Sequence, residues 1–177
     1  ALNRLEAIKA DIASQVANDD PYTKVKRIHD FLVDYIEYDS SMTRTNTRNI
    51  YGALVEQNVV CEGYAESLKY LLDAVGVPCV EIVGTGTNSA GQTEAHAWNY
   101  VMLNNKWYAV DVTWDDPTII GSGRVPTSTK TRYFLKGETE ESDDICWYVQ
   151  KNLWDELTEK GIPDYLKLPE KEILLLK

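Results

Sequence analysis

A helix with a cysteine at its amino end is the strongest structural signal in this sequence. Between residues 59 and 76, apolar side chains recur at the three- and four-residue spacing of one buried helix face: Tyr64, Ala65, Leu68, Leu71, Leu72 and Val75. Cys61 lies on the same face, seven residues before Leu68. Gly76 and Pro78 supply the expected helix stop. The pattern predicts a buried helix whose first turn points a thiol inward.

The position of Cys61 leaves two interpretations open. The amino end of a helix carries partial positive charge, which favours the thiolate, and the thiolate is the nucleophilic form of cysteine. A cysteine on a buried face is also a common space-filling residue, because free cysteine is among the most buried residue types. Which interpretation holds depends on the groups that the fold brings beside the sulfur.

Length and composition limit the fold class and the partners. The chain has 177 residues, of which 44% are hydrophobic and 26% charged, as is typical of one globular domain. Eighteen basic residues against 28 acidic ones give a formal charge of −10, so neither nucleic acid nor an anionic membrane is an expected partner. No apolar run approaches the roughly 20 residues that span a bilayer. Three cysteines are too few for a disulfide scaffold.

Helices precede the central helix and strands follow it. We predict helices over residues 1–17 and 21–36, a short helical segment over 50–55, and, after Pro78, strands over 79–84, 93–103, 106–114 and 133–135. Short apolar pieces follow at 145–150, 153–157 and 173–176. The polar stretches 39–49, 85–93 and 117–131 are expected to wall a cleft. His29, on the second helix, is predicted to be a structural hydrogen-bonding histidine and not a catalyst.

A hairpin between two of the predicted strands brings a histidine close to an aspartate. Asn104-Asn105 suits a two-residue type I′ turn, because asparagine tolerates positive φ. In that register Trp98 faces Asp111 and His96 faces Thr113, so all four side chains project to one side. His96 and Asp111 become diagonal neighbours, roughly 7–8 Å apart at the backbone. Their side chains are long enough to close that gap with a hydrogen bond.

Cysteine, histidine and aspartate in this arrangement form a nucleophile, a base and its orienting group. Cys61 would attack a carbonyl carbon as thiolate, and His96 would hold the thiol proton and later protonate the leaving amine. Asp111 would fix the tautomer of the imidazole. The backbone N–H of Cys61 is expected to stabilise the oxyanion. Tyr51 is the candidate for a second oxyanion donor, with ordinary packing as its alternative.

Two tryptophans flank the predicted site, and no metal is predicted in it. Trp98 shares the His96 face and is the candidate to shield the site and contact substrate, whereas Trp114 points the other way and is expected in the core. The acidic pairs Asp115-Asp116 and Asp143-Asp144 are of the kind usually solvated on a surface. Cys61 and His96 lack a third and fourth ligand at zinc spacing. No cofactor is expected.

Three segments resemble the signature segments of bacterial transglutaminase-like domains, which belong to the papain-like cysteine enzyme superfamily. They are residues 60–65 (VCEGYA), 94–99 (EAHAWN) and 107–117 (WYAVDVTWDDP), with further likeness at 28–32, 38–39 and 51–55. The resemblance covers about residues 21–135. It implies an α+β fold in which a central helix bearing Cys61 packs on an antiparallel sheet bearing His96 and Asp111, with extra N-terminal helices. It also implies these three residues as a catalytic triad.

Together these observations predict one transglutaminase-like domain over residues 1–177. Its parts would be an N-terminal helix over 1–20, a catalytic core over about 21–135 and a C-terminal extension over 136–177. The expected function is cysteine-dependent acyl transfer on an amide, either a peptide bond or a glutamine side chain, through a thioester. Hydrolysis is favoured over cross-linking because nothing in so small a chain builds a second, amine-binding site. The alternative is a cell-surface binding or scaffold module that does not use the triad.

The resemblance also bears on substrate and location. It implies a peptide, protein or cell-wall peptide substrate. It implies an extracellular or cell-surface location too, since many such domains are exported from Gram-positive bacteria. The chain opens in what reads as the middle of a helix, which predicts that a signal or a further domain precedes it in a longer protein.

Overall fold

The protein is described from a computed structural model, which covers residues 2–87, 91–104, 106–116, 130–131, 133–135, 146–150 and 173–176. Its helices are α1 (Leu2–Gln15), α2 (Pro21–Tyr35), α3 (Cys61–Ala74) and α4 (Val112–Asp115), with one π-helical turn at Gly52–Glu56. Its strands are β1 (Glu37–Tyr38), β2 (Asn58–Val59), β3 (Cys79–Thr87), β4 (Thr93–Leu103), β5 (Lys106–Val110), β6 (Cys146–Gln150) and β7 (Ile173–Leu176).

The central helix forms where its apolar pattern predicts it. Helix α3 begins at Cys61 and buries the predicted face through Tyr64, Ala65, Leu68, Leu71 and Leu72. Gly76, with φ +76°, follows the last turn in the left-handed conformation that favours glycine. Helix α3 contacts α1, α2 and α4 on its sides and the strands β3 and β4. The helix that bears the cysteine is therefore the centre of the fold.

The two N-terminal helices pack their apolar stripes into the same core. Asp20 caps α2 by accepting a hydrogen bond from the Thr23 N–H at 2.8 Å, and Pro21 occupies the first turn, where a missing N–H costs nothing. The buried positions that α1 and α2 contribute include Leu5, Ile12, Val25, Ile28 and Leu32. Both helices contact α3.

A five-stranded sheet packs against α3, in the order β5-β4-β3-β6-β7. Neighbouring strands are antiparallel except for the parallel pair β6–β7. Strands β4 and β5 pair with Leu103 opposite Lys106 and Asn99 opposite Val110, which is the register that the hairpin turn predicts. Asn104 has φ +51°, as that turn requires, while Asn105 lies outside the described residues. The α+β fold with its cysteine helix on a largely antiparallel sheet is thus confirmed.

The third predicted strand is too long by four residues. Strand β5 ends at Val110, because the next residue turns its backbone N–H to the carbonyl oxygen of Tyr133 at 3.0 Å. The carboxylate of Asp111 then accepts a hydrogen bond from the Trp114 N–H at 3.1 Å and caps α4. The side-chain hydrogen bond of Asp111 competes with strand pairing here, and a helix start replaces the strand. Asp111 therefore follows the sheet, and the predicted strand pairs Trp98–Asp111 and His96–Thr113 are wrong, because the pairing of β4 with β5 ends at Asn99 and Val110.

Two other strand predictions differ from the structure. Residues 133–135 form a turn, with the Phe134 N–H bonded to the Thr131 carbonyl at 3.3 Å and Leu135 at φ +52°, so the strand predicted there is wrong. Strand β3 runs on to Thr87, because its last four residues pair with β4 on one side and with β6 on the other. Residues 117–129 and the apolar piece at 153–157 lie outside the described residues.

Candidate active site

Cys61 stands at the first position of α3, half-buried, on the wall of a cleft of about 540 Å³. Val60 precedes it as the N-cap residue and supplies no side-chain hydrogen bond to the first turn, while its carbonyl oxygen accepts from the Gly63 N–H at 3.0 Å. The approach to the helix is fixed by two backbone hydrogen bonds, Val60 N–H to Thr47 C=O at 2.9 Å and Asp39 N–H to Val59 C=O at 2.8 Å. The sulfur is therefore presented by a helix end that is held in place.

The imidazole of His96 and the carboxylate of Asp111 meet beside this sulfur. His96 Nε2 lies 2.5 Å from Asp111 Oδ2, and both side chains are buried. Since a carboxylate only accepts, Nε2 carries the proton and Nδ1 is the nitrogen left for the sulfur. Cys61 and His96 line the same cleft, and the interaction with Cys61 is one of the causes that raise the pKa of His96. Of the three residues that the sequence singled out, His96 and Asp111 are hydrogen-bonded to each other, and Cys61 lies on the cleft wall with His96.

The environment of His96 favours its protonated form. Burial by itself lowers the pKa of His96, but the charge of Asp111, the hydrogen bond to it and the interaction with Cys61 raise that pKa to about 10. At neutral pH the ring is then an imidazolium. An imidazolium here can donate a hydrogen bond to a neighbouring acceptor and can give a proton to a leaving group.

Two indole rings fix the plane of the imidazole. Trp114 stacks on His96 with ring centroids 4.3 Å apart and an interplanar angle of 14°, and Trp98 lies at 5.7 Å and 20°. This close packing needs Gly86, because a Cβ there would lie 2.6 Å from the Trp114 ring and 3.3 Å from His96. The ring can therefore rotate little about its hydrogen bond to the carboxylate.

The structure places the two tryptophans differently from the prediction: Trp114 lines the cleft, and Trp98 is buried. Trp114 is half-buried and lines the cleft, so the expectation of a core position is wrong. The cause is α4, which removes this residue from strand alternation and turns its side chain back towards His96. Trp98 is 1% exposed and stacks beside the imidazole without lining the cleft. This position suits shielding of the site and gives no support to contact with substrate.

Tyr51 lies away from the cleft, whereas Tyr38 lines it. Tyr51 packs half-buried against the hydrophobic core and is not among the residues that line the cleft, which supports ordinary packing over an oxyanion role. Tyr38 lines the cleft instead, and burial, followed by the charges of Cys61 and Glu94, raises its pKa. Its hydroxyl therefore stays protonated and can donate to an anionic oxygen. Sequence reasoning missed Tyr38, and its only signal was its place in one of the resembling segments.

A second buried histidine holds α4 from behind. His29 Nε2 lies 2.7 Å from Asp115 Oδ2, and His29 Nδ1 lies 2.8 Å from Asp30 Oδ1. Burial lowers the pKa of His29, but the hydrogen bonds to Asp115 and Asp30 outweigh it and raise the pKa. Asp115 also accepts the Tyr133 N–H at 2.7 Å. The predicted structural role of His29 is confirmed, and through Asp115 it fixes the helix that Asp111 caps.

The acidic pair at the end of α4 is not a solvated surface feature. Asp115 and Asp116 are both fully buried, the first on His29 and the second as acceptor of the Tyr64 hydroxyl. The expectation of surface exposure is wrong for this pair because both carboxylates have long-range donors. Across the described ranges, no group of three or more His, Cys, Asp or Glu side chains is placed to hold a metal ion. In the same part of the chain, no helix has the length and apolarity to cross a membrane.

Comparison with known proteins gives one family and a set of distant relatives. Residues 10–112 match the family described as the transglutaminase-like superfamily. The kyphoscoliosis peptidase of Mus musculus is 30% identical over 145 residues, which is 76% of this chain and 21% of the relative. The chain thus spans about a fifth of the length of that relative.

Two solved structures share the fold. A protein of Cytophaga hutchinsonii, provisionally described as a cysteine protease, superimposes with a TM-score of 0.53 at 20% identity over 65% of this chain and 39% of its own. A structure described as a TGase gives a TM-score of 0.51 at 16% identity over 70% of this chain and 33% of its own. At these identities the likeness concerns the arrangement of helices and strands.

Proposed function

Because the chain belongs to the transglutaminase-like superfamily, we propose that it is a cysteine-dependent acyl-transfer enzyme with Cys61, His96 and Asp111 as its catalytic triad. The observation that carries the proposal is the hydrogen bond between the imidazole of His96 and the carboxylate of Asp111, with Cys61 and His96 on the wall of the same open cleft. The substrate is an amide, either a peptide bond or a glutamine side chain. A peptide or protein is therefore the proposed partner.

The proposed reaction has two acyl-transfer steps. The Cys61 thiolate attacks the amide carbon, and the N–H groups at the start of α3 stabilise the oxyanion. His96 gives its proton to the departing amine, which leaves a thioester on Cys61. His96 then takes a proton from a water molecule, and the resulting hydroxide attacks the thioester. The products are the carboxylic acid and the regenerated Cys61–His96 pair.

Hydrolysis is the form of acyl transfer that we propose over cross-linking. Water reaches a half-buried sulfur on a cleft wall without any dedicated site. Cross-linking would also need a site that holds an amine in line with the thioester. An extracellular or cell-surface setting completes the proposal, and it rests on the resemblance to exported bacterial domains.

Labelling of the thiol tests the proposal directly. In a screen of reactive-amide probes built on peptide and glutamine scaffolds, we expect one covalent adduct, mapped by mass spectrometry to Cys61. Cys61→Ala should abolish both this adduct and iodoacetamide labelling at near-neutral pH. Cys79 is the internal control, because it is buried and burial raises the pKa of its thiol, so it should stay unlabelled in the folded protein.

The outcomes of this screen separate the candidate functions. Unchanged labelling of the most reactive thiol in the Cys61→Ala protein would remove Cys61 from the role of nucleophile. Binding of a peptide or cell-wall fragment with no turnover of any amide would favour the binding module. Release of free acid, and not of an amine-linked product when an amine is added, would support hydrolysis.

The alkaline limb of the pH profile depends on the charge of Asp111. The leaving amine needs protonated His96, so kcat/KM should fall only as pH rises through about 10, the value to which Asp111 and Cys61 raise the pKa of His96. Asp111→Asn keeps a hydrogen-bonding group but removes the negative charge, so the pKa of His96 should drop and the limb should move to lower pH. The measurement is kcat/KM for one amide from pH 6 to about 10.5 in both proteins. An alkaline limb that stays in place in Asp111→Asn would contradict the assigned pairing.

A further inference from the structure

Two exposed apolar side chains lie on the wall of the same cleft as Cys61. In the described part of the chain, Leu2, Tyr22, Met42 and Val83 are the large hydrophobic residues left exposed. Met42, 75% exposed, and Val83, 48% exposed, both line the cleft, one from the loop at residues 39–49 and the other from β3. Single exposed apolar residues need no explanation, but two on separate elements of one cleft offer apolar contact to a ligand that enters it.

The loop that carries Met42 is built to hold this side chain outward. Met42 has φ +53°, a left-handed conformation that costs energy for any residue with a Cβ and that is found mostly where function requires it. Asp39 stabilises the turn, with Oδ1 accepting from the Ser41 N–H at 3.0 Å and the Ser41 hydroxyl at 2.5 Å. Asp39 is itself buried, and its N–H bonds to Val59, two residues before the nucleophile. The loop that carries Met42 is thus attached to the strand that leads into Cys61.

The charges on the cleft wall cancel each other. The wall carries Arg44 and Arg48 against Glu62 and Glu94, whereas the whole chain has a formal charge of −10. Arg48 and Glu62 are paired at 2.7 Å, so neither offers a free charge to a substrate. The wall therefore gives little electrostatic preference for an acidic or a basic substrate. Apolar contact, together with hydrogen bonds to the hydroxyl groups of the wall, is then what can discriminate among substrates.

We propose that Met42 and Val83 form an apolar clamp that receives a large aliphatic or aromatic side chain of the substrate, beside the acyl carbon that Cys61 attacks. The proposal rests on the acyl-transfer function above and names its substrate class, a peptide with an apolar residue next to the reacting amide. The two residues would be specificity-determining and would take no part in the proton transfers. Adding or removing an apolar group at such a contact changes kcat/KM by about 10- to 200-fold.

The test uses peptidyl acyloxymethyl ketones that differ only in the side chain next to the ketone, namely leucine, serine, aspartate or lysine. The Cys61 thiolate forms a bond to the methylene carbon and the carboxylate group leaves, so the rate of inactivation reports recognition. We expect the leucine probe to react about tenfold or more faster than the other three. Met42→Asn tolerates the left-handed backbone and removes the apolar side chain, and Val83→Thr keeps its shape and suits a strand. Each should lower the leucine preference several-fold.

Matched controls separate the clamp from the nucleophile. Met42→Leu should retain the preference, and Leu2→Ala, an equally exposed apolar residue outside the cleft, should not change it. Iodoacetamide, which has no side chain to recognise, should alkylate Cys61 at the same rate in every variant. Equal rates for the four probes with normal iodoacetamide labelling would overturn the clamp and leave the proposed function standing. Faster reaction of the aspartate probe or of the lysine probe would overturn the clamp and assign substrate recognition to Arg44 or to Glu94, respectively. Failure of every reagent at Cys61 would remove the function and the clamp together.

Discussion

Replacing His96 with glutamine should lower kcat/KM for amide hydrolysis by about 10⁴-fold, since loss of one member of such a triad removes proton transfer in both acyl-transfer steps. Glutamine is chosen because its amide N–H can replace Nε2–H as donor to Asp111 and its side chain occupies much of the space that the imidazole fills beside the two indole rings. It cannot, however, take a proton from sulfur or water and give it to an amine. The expected loss therefore isolates the chemistry from the packing.

The measurement compares kcat/KM of the two proteins on one amide at pH 7, with thermal unfolding as the check on folding. Iodoacetamide labelling of Cys61 should also slow, because the imidazolium that pairs with the thiolate is gone. A His96→Gly variant offers a complementary test, since free imidazole in the buffer can enter the vacated space and should restore part of the activity. A loss of less than about tenfold in His96→Gln would exclude His96 as the proton carrier.

The parts of the site that the sequence predicted are those fixed by local geometry. The apolar periodicity of α3 is a property of consecutive residues, so it placed Cys61 at a helix start without any knowledge of its neighbours. The hairpin turn fixed the register of β4 and β5, and strand alternation then placed His96 on the side that Asp111 reaches. Both inferences used contacts between residues close in sequence, where the chain itself limits the choices.

The parts that the sequence did not predict depend on distant segments. Asp111 leaves the strand because Tyr133 supplies its backbone acceptor, and this is what turns Trp114 onto His96. Asp115 is buried because a histidine 86 residues earlier donates to it. Tyr38 lines the cleft because β1 pairs with β2, next to the nucleophile. The pattern of apolar and polar residues within segments 37–38 and 111–116 does not indicate these long-range contacts.

Replacing His29 with alanine should lower the free energy of unfolding by about 3–5 kcal/mol, because it leaves a buried carboxylate without its cation. His29 and Asp115 are both fully buried at 2.7 Å, so no water is at hand to solvate the carboxylate that remains. A small domain has only about 5–15 kcal/mol of net stability, so the loss should be visible as a large fall in the urea midpoint. The matched control is Asp73→Ala, which breaks the exposed Lys69–Asp73 pair and should cost less than about 1 kcal/mol.

The pH dependence of this difference identifies its cause. Since the folded pKa of His29 is raised, the ion pair stabilises the fold fully at pH values below the pKa of an unfolded histidine, roughly 6.5. Its contribution is lost as pH rises through the folded pKa. The gap in unfolding free energy between wild type and His29→Ala should therefore narrow as pH rises through the folded pKa of His29, and also as pH falls through about 6, the value to which burial raises the pKa of Asp115. A cavity left by a neutral ring would give a gap independent of pH. A difference in unfolding free energy that does not change with pH, or one no larger than that of Asp73→Ala, would show that His29 does not hold α4 by charge. The support for Asp111 would then have to come from the contacts of Tyr133.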